Sequence, residues 1–302
     1  MEKEKKVKDV DFADSAVPAS ARKNVVTMFM IMLGFTFFSA SMWVGQQLAD
    51  GLDFWGFLGS LILGGIILGI YTGLLGYVGA KTGLSLDLLS QRAFGEKGSY
   101  LPSAMTSFTQ IGWFGVGSFV SGGTATPNFA RFAKNGKSGA ITTVVAFFIG
   151  NSLMFFFGAV SSIFVGGNDI FEVMVRLNLF YLAVLVLGLN IWTTNDNALY
   201  TAGLGLANIF HQRKKPMVLL SGIIGTVASV WLYYNFCGWL NILNCTLPPV
   251  GMILVLAYFM NKKDFETDQP KLKTVDWFAV AGVILGAIVA NLLHWGIASI
   301  NG

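Results

Sequence analysis

The densest set of polar side chains inside an apolar stretch runs from Leu187 to Asn197. Asn190, Thr193, Thr194 and Asn197 fall at i, i+3, i+4 and i+7, so a helix would carry them on one face. Such a stripe is costly in lipid unless it meets another helix, a cavity or an ion. Its amide and hydroxyl oxygens suit a hard cation such as sodium; they would also serve a hydrogen-bonded seam between helices. Asp196 is the one acidic residue deep inside an apolar stretch, and an intramembrane carboxylate points to function by default. It could pair, stay neutral or carry a proton.

Two other segments have chemistry to offer. Gly34 to Trp43 places small polar residues at the centre of an apolar run, where an unwound helix could turn freed carbonyls toward a cation. Glycine and serine there would equally mark close packing. Gln110 to Thr124 mixes an amide, aromatic rings and hydroxyls with five glycines. Rings there could stack on a planar polar ligand while Gln110, Ser121 and open backbone read its edge. Alternatively Trp113 belongs to an interfacial belt and Gln110 bonds local backbone. No nucleophile–base set, phosphate loop or acid–base pair is present, which speaks against an enzyme. The two cysteines and two histidines give neither a disulfide framework nor metal spacing.

The elements that position these groups follow from composition. Hydrophobic residues make up 54% of the 302-residue chain and charged ones 12%, against roughly 25% charged in soluble domains. This is an integral membrane protein. Apolar stretches of about 20 residues occur near 25–48, 54–79, 101–123, 139–166, 178–210, 217–236, 237–260 and 276–299. The fifth is long enough that it must tilt or project beyond the bilayer. Gly65, Gly69 and Gly73 make two small-xxx-small steps for helix packing, and Pro248-Pro249 predicts a kink or break. The expected organisation is a polar tail, 1–24, and one transmembrane domain, 25–299. A polar start makes a secretory signal peptide unexpected.

Basic residues orient the chain. They lie in the tail (Lys3, Lys5, Lys6, Lys8, Arg22, Lys23), at 81–97, at 131–137, at 213–215 and at 262–273; only Arg176 of the 20 falls elsewhere. The tail is therefore expected on the cytoplasmic side. Parity then fails at one step. Segments 81–97 and 131–137 both read as cytoplasmic, yet a single apolar stretch separates them. The glycines of 101–123 would permit it to enter and return on the same side, if shielded by protein or lining a water cavity.

Several strings resemble the purine-cytosine permeases of the nucleobase:cation symporter-1 family. They are Ser20 to Lys23, Leu33 to Trp43, Gly79 to Leu84, Gly112 to Gly117, Phe147 to Phe155 and Leu187 to Tyr200, in family order. The resemblance implies an all-α, LeuT-like fold of two inverted five-helix repeats with a broken first helix. It implies a sodium ion bound by the backbone of Gly34 and Phe38 with Asn190, Thr193 and Thr194. It implies cytosine stacked between Trp113 and Phe119, with Gln110, Asn195, Ser121 and the backbone near Ser118 and Gly122 reading its polar edge. The repeat is incomplete. Residues to 117 resemble the first part of the family's third helix and residues from 118 the second part of its sixth, so counterparts of helices four and five are missing. The chain also stops after what resembles helix eleven.

The expected function is sodium-coupled import of cytosine across the cytoplasmic (inner) membrane, with no cofactor beyond the coupling ion and no nucleic-acid partner. Sodium and proton coupling both stay open, as does self-association. A different class of reading is a non-transporting fragment or subunit of a longer permease. A third is a transporter of a hydantoin, a purine or an amino acid.

Overall fold

The computed structural model describes residues 12–37, 39–116, 120–166 and 170–301, for a subset of which only the backbone is described. Without water to bond its amides, a lipid-embedded chain satisfies them within helices. In chain order these are α1 (Val25–Thr36), α2 (Ser39–Gly51), α3 (Phe54–Thr82), α4 (Leu86–Phe94), α5 (Tyr100–Val116), α6 (Val120–Ala130), α7 (Gly136–Val165), α8 (Ile170–Arg176), α9 (Phe180–Phe210), α10 (Lys214–Tyr234), α11 (Phe236–Met260), α12 (Lys262–Glu266) and α13 (Trp277–Asn301). Side-chain oxygens of Asn24, Asp53, Ser85 and Asn135 cap the first turns of α1, α3, α4 and α7. Gly83, at φ 73°, ends α3 in the left-handed conformation that lets the chain turn into α4.

The protein is a multi-pass membrane protein. Among the described residues, Phe54–Thr82, Gly136–Val165, Lys214–Leu232 and Ile242–Met260 are long and apolar enough to cross a bilayer, with Val25–Thr36 and Trp277–Leu293 as shorter apolar helices. Eight equal crossings do not emerge. The first apolar stretch is divided between α1 and α2, and the third between α5 and α6. The expected break at Pro248-Pro249 is absent: α11 runs through both prolines.

Helix α7 lies against α1, α2 and α3, and small residues let the backbones approach. A Cβ on Gly158 would collide with the Met42 carbonyl, and one on Gly45 with the Phe155 carbonyl. Gly73 and Gly76 of α3 pack against the side chains of Val144 and Thr143 of α7. Because backbone cannot step aside as a side chain can, Gly158→Val is expected to separate α2 from α7. The measurement is monodisperse yield by size-exclusion chromatography. Wild-type yield from this variant would refute the contact.

The basic segments gather on one face. Arg22 donates to the Ala80 carbonyl at 2.8 Å, and the Lys23 amide to Phe132 O at 2.6 Å. The Glu96 amide bonds Lys273 O at 2.8 Å, and Tyr100 Oη meets His211 Nε2 at 2.7 Å. Both ends of the anomalous 101–130 segment lie on this face too. Ser103 of α5 donates to Asp87 of α4 at 2.6 Å, and Asn128 of α6 accepts the Leu86 amide at 2.8 Å. The two ends of the segment thus meet at α4, on the side where the basic segments gather.

Candidate functional site

The last described backbone bond of α1 runs from the Phe37 amide to Leu33 O at 2.8 Å, and α2 begins at Ser39. Among the described residues no further turn follows to bond the carbonyls at this end, which carry the negative end of the helix dipole. A polar side chain of α9 reaches this gap: Asn190 Nδ2 donates to the Phe37 carbonyl at 2.8 Å. That bond turns the α9 stripe toward the interruption. A side chain added at Gly34 would meet nothing within 4 Å. Phe38 lies outside the described residues, and so do the side chains of Thr193 and Thr194. Their place on the Asn190 face follows from the unbroken helix.

Helices α5 and α9 run in opposite directions. Asn208 Nδ2 bonds Ser99 Oγ at 3.0 Å and Ser103 Oγ at 2.9 Å, and Ser107 Oγ donates to Ala202 O at 3.1 Å. Carrying this register onward brings the last turn of α5, with Trp113, to the level of Asn195. Gln110 is buried one turn earlier, and Asn195 is half-buried. The indole of Trp113 and the side chains of Ser121 and Gly122 on α6 lie outside those described, and Ser118 and Phe119 lie outside the described residues altogether. Asp196 is exposed and is not part of the Asn190 contact.

A second polar cluster closes the basic face below these residues. Asp87 accepts from Ser103, Ser103 accepts from Asn208, and Gln91 Nε2 donates to Asn208 Oδ1 at 2.6 Å. Arg131 is wholly buried and donates to Phe12 O at 2.8 Å, Asn128 O at 3.2 Å and Tyr200 Oη at 2.7 Å. Burial pushes the Asp87 carboxyl up to about 6, against the opposing pull of the Ser103 bond and of Arg131. Between its ordinary value and about 6 the folded chain holds a proton that the unfolded chain releases. Stability should therefore fall as pH rises through that window and level off above it. Thermal unfolding from pH 4 to 7 checks this, and Asp87→Asn should flatten the profile. A profile unchanged in the variant would refute the assignment.

Sequence reading missed this cluster. Arg131 counted only as a topology charge, and Asp87 was not singled out. The one available signal was the spacing of Asp87 two residues after the capping Ser85, which marks a first helical turn. Among the described residues no group of three or more His, Cys, Asp or Glu side chains that could hold a metal ion occurs.

A helical multi-pass membrane protein whose first helix breaks against a polar stripe on a later helix is built as a secondary transporter. Comparison with solved structures supports that fold. The fold aligns with Mhp1, a nucleobase-cation-symport-1 family transporter, in a closed conformation with bromovinylhydantoin bound (TM-score 0.74, 14% identity, 93% of each chain). It also aligns with the inward-facing conformation of Mhp1 (TM-score 0.69, 15% identity, 92% of this chain and 91% of that one). A family described as permeases for cytosine/purines, uracil, thiamine and allantoin matches in two pieces, residues 16–125 and 116–299. The cytosine permease of Escherichia coli (strain K12) is 38% identical over 386 residues, covering 97% of this chain and 91% of that protein. The allantoin permease of Bacillus subtilis (strain 168) is 34% identical over 82 residues, 27% of this chain and 16% of that one. The chain belongs to this permease family. It is a secondary transporter and not an enzyme.

Proposed function

We propose that the protein imports cytosine into the cell across the cytoplasmic membrane and couples this to sodium, with its N-terminus inside. The observation that carries the reading is the Asn190 bond to Phe37, which sets oxygen-bearing side chains against the open end of α1. Gly34, Phe38, Asn190, Thr193 and Thr194 would ligate the ion. Cytosine would stack on Trp113 and Phe119, with Gln110, Ser118, Ser121, Gly122 and Asn195 around its polar edge. The relative named a cytosine permease supports the substrate, and the gathering of basic segments on one face supports the sidedness. The ion acts by population: it favours the conformation that the substrate binds more tightly.

The same reading makes the chain an incomplete inverted repeat of about eight apolar segments, joined near 117–118. The two pieces of the family match overlap at 116–125, where that junction falls. The 386 aligned residues exceed this 302-residue chain, so at least 84 positions of the relative have no counterpart. Uptake of labelled cytosine by cells expressing the chain, with sodium or with choline, tests the proposal. Sodium-dependent uptake supports it, and no uptake from well-inserted protein overturns it. Competition by a hydantoin or a purine separates the substrates.

Asn190→Ala should raise the sodium concentration for half-maximal uptake by about tenfold, the loss of one ligand-positioning hydrogen bond of ~1.4 kcal/mol. An unchanged sodium curve would remove Asn190 from the site.

One observation favours the second reading, a subunit that assembles with another chain. Asp196 is exposed midway along α9, and a lipid-facing carboxylate there is expensive. A covering helix from a second copy or from a full-length permease would shield it. The mass of the detergent-solubilised complex tests that directly.

A further inference from the structure

The substrate reading above relies on the first turn of α6, where Ser121 and the backbone near Gly122 would meet the polar edge of cytosine. α6 is short, Val120–Ala130, and the first N–H groups of a helix have no bond within it. Such donors read a base only if the helix that carries them is held within about 0.5 Å of the productive position. What holds this end of α6 is therefore part of recognition. At its far end α6 is tied by Asn128 to the Leu86 amide and by Arg131 to Tyr200.

Nearer its start α6 is tied to α3. Tyr71 of α3 and Thr124 of α6 share a hydrogen bond of 2.8 Å between their hydroxyl oxygens. Thr124 is 1% exposed and lies three residues after Ser121, on the same face of the helix. Gly123 lets α6 lie close to α3: a Cβ there would be 3.2 Å from Thr72 Cγ2 and 3.6 Å from Tyr71 Cε1. The Tyr71 phenol also lies against Gly251 of α11, where an added Cβ would collide with it. Held between α6 and α11, the phenol has little freedom to leave Thr124. Because Tyr71 stands in the middle of a 29-residue helix, its bond refers the start of α6 to a long, stiff element.

We infer that Tyr71 is a positioning residue for substrate recognition: through Thr124 it sets the aim of the α6 turn that reads the polar edge of the base. This rests on the substrate reading above and deepens it. Stacking on Trp113 depends on α5, so loss of the Tyr71–Thr124 bond removes the part of the affinity that tells one edge from another. Cytosine and uracil separate the two contributions. Both present a planar ring to stack, but cytosine has an amino group beside a ring-nitrogen acceptor where uracil has a carbonyl beside a ring N–H.

The test is equilibrium binding of labelled cytosine to the purified full-length chain in saturating sodium, with uracil as competitor. Tyr71→Phe and Thr124→Val each remove one hydroxyl. Each should weaken cytosine about tenfold, the worth of one hydrogen bond, and narrow the preference for cytosine over uracil. The double variant should be no weaker than either single one, because both changes remove the same bond. Thr124→Ser keeps the hydroxyl and should restore affinity and preference. Binding of sodium-22 without cytosine should match wild type in every variant. Cytosine affinity unchanged in both single variants, or losses that add in the double variant, would overturn the role of Tyr71 and leave the substrate reading standing. So would a loss of cytosine and sodium binding in parallel with the preference intact, the mark of a packing contact. A wild type that binds no cytosine would overturn both.

Discussion

Trp113→Ala should weaken cytosine binding about 100-fold or more and abolish measurable uptake. A base stacked on an aromatic side chain gains ~1–3 kcal/mol from that contact, and the upper end applies where the ring is one wall of a closed site. Residue 113 lies in the last turn of α5, at the level of Asn195 on α9, and α5 is held firmly just before it. Gly112 packs against the Trp239 ring of α11, and Gln110 is buried. The alanine change therefore removes a ring without freeing the helix. Trp113→Phe keeps an aromatic face and should retain most of the affinity. Binding of labelled cytosine to purified protein is the measurement, and an affinity unchanged by the alanine variant would sink the stacking reading.

Arg131→Ala should be the most destabilising single change, by about 3–5 kcal/mol, the range for breaking a buried charged network from one side. The guanidinium donates to two backbone carbonyls and to Tyr200 Oη, and its Cζ lies 5.0 Å from the centre of the Phe132 ring. It also faces Asp87, which is buried and would lose its nearest compensating charge. Removing it leaves Phe12 O, Asn128 O and Tyr200 Oη without their guanidinium donor. Arg131→Lys should rescue little, because an ammonium cannot direct donors along the fork that three separate acceptors require. A melting temperature of Arg131→Ala within a few degrees of wild type would refute this.

One of the charged groups in that network shows what a linear reading misses. By position Arg131 is one of three basic residues between apolar stretches, indistinguishable from Lys134 or Lys137. Only the meeting of α6, α9 and the tail encloses it, and those elements are distant in sequence.

What the sequence determined by itself was the membrane class, the helical stretches and the common face of the basic segments. Each depends on local quantities: the transfer cost of charge into lipid, the length of an apolar run, and the 3.6-residue period that put Asn190 in a stripe. The unwound centre of the first helix was legible as small residues in an apolar run, and the turn-back of 101–130 as a parity failure. Tertiary structure alone decided where the first helix stops, that α11 continues through its two prolines, and which polar groups share a burial. Those outcomes depend on which backbones come close enough to touch, and the close contacts at Gly45, Gly150 and Gly158 join residues more than a hundred positions apart. No local period encodes that pairing. It is set when the helices pack.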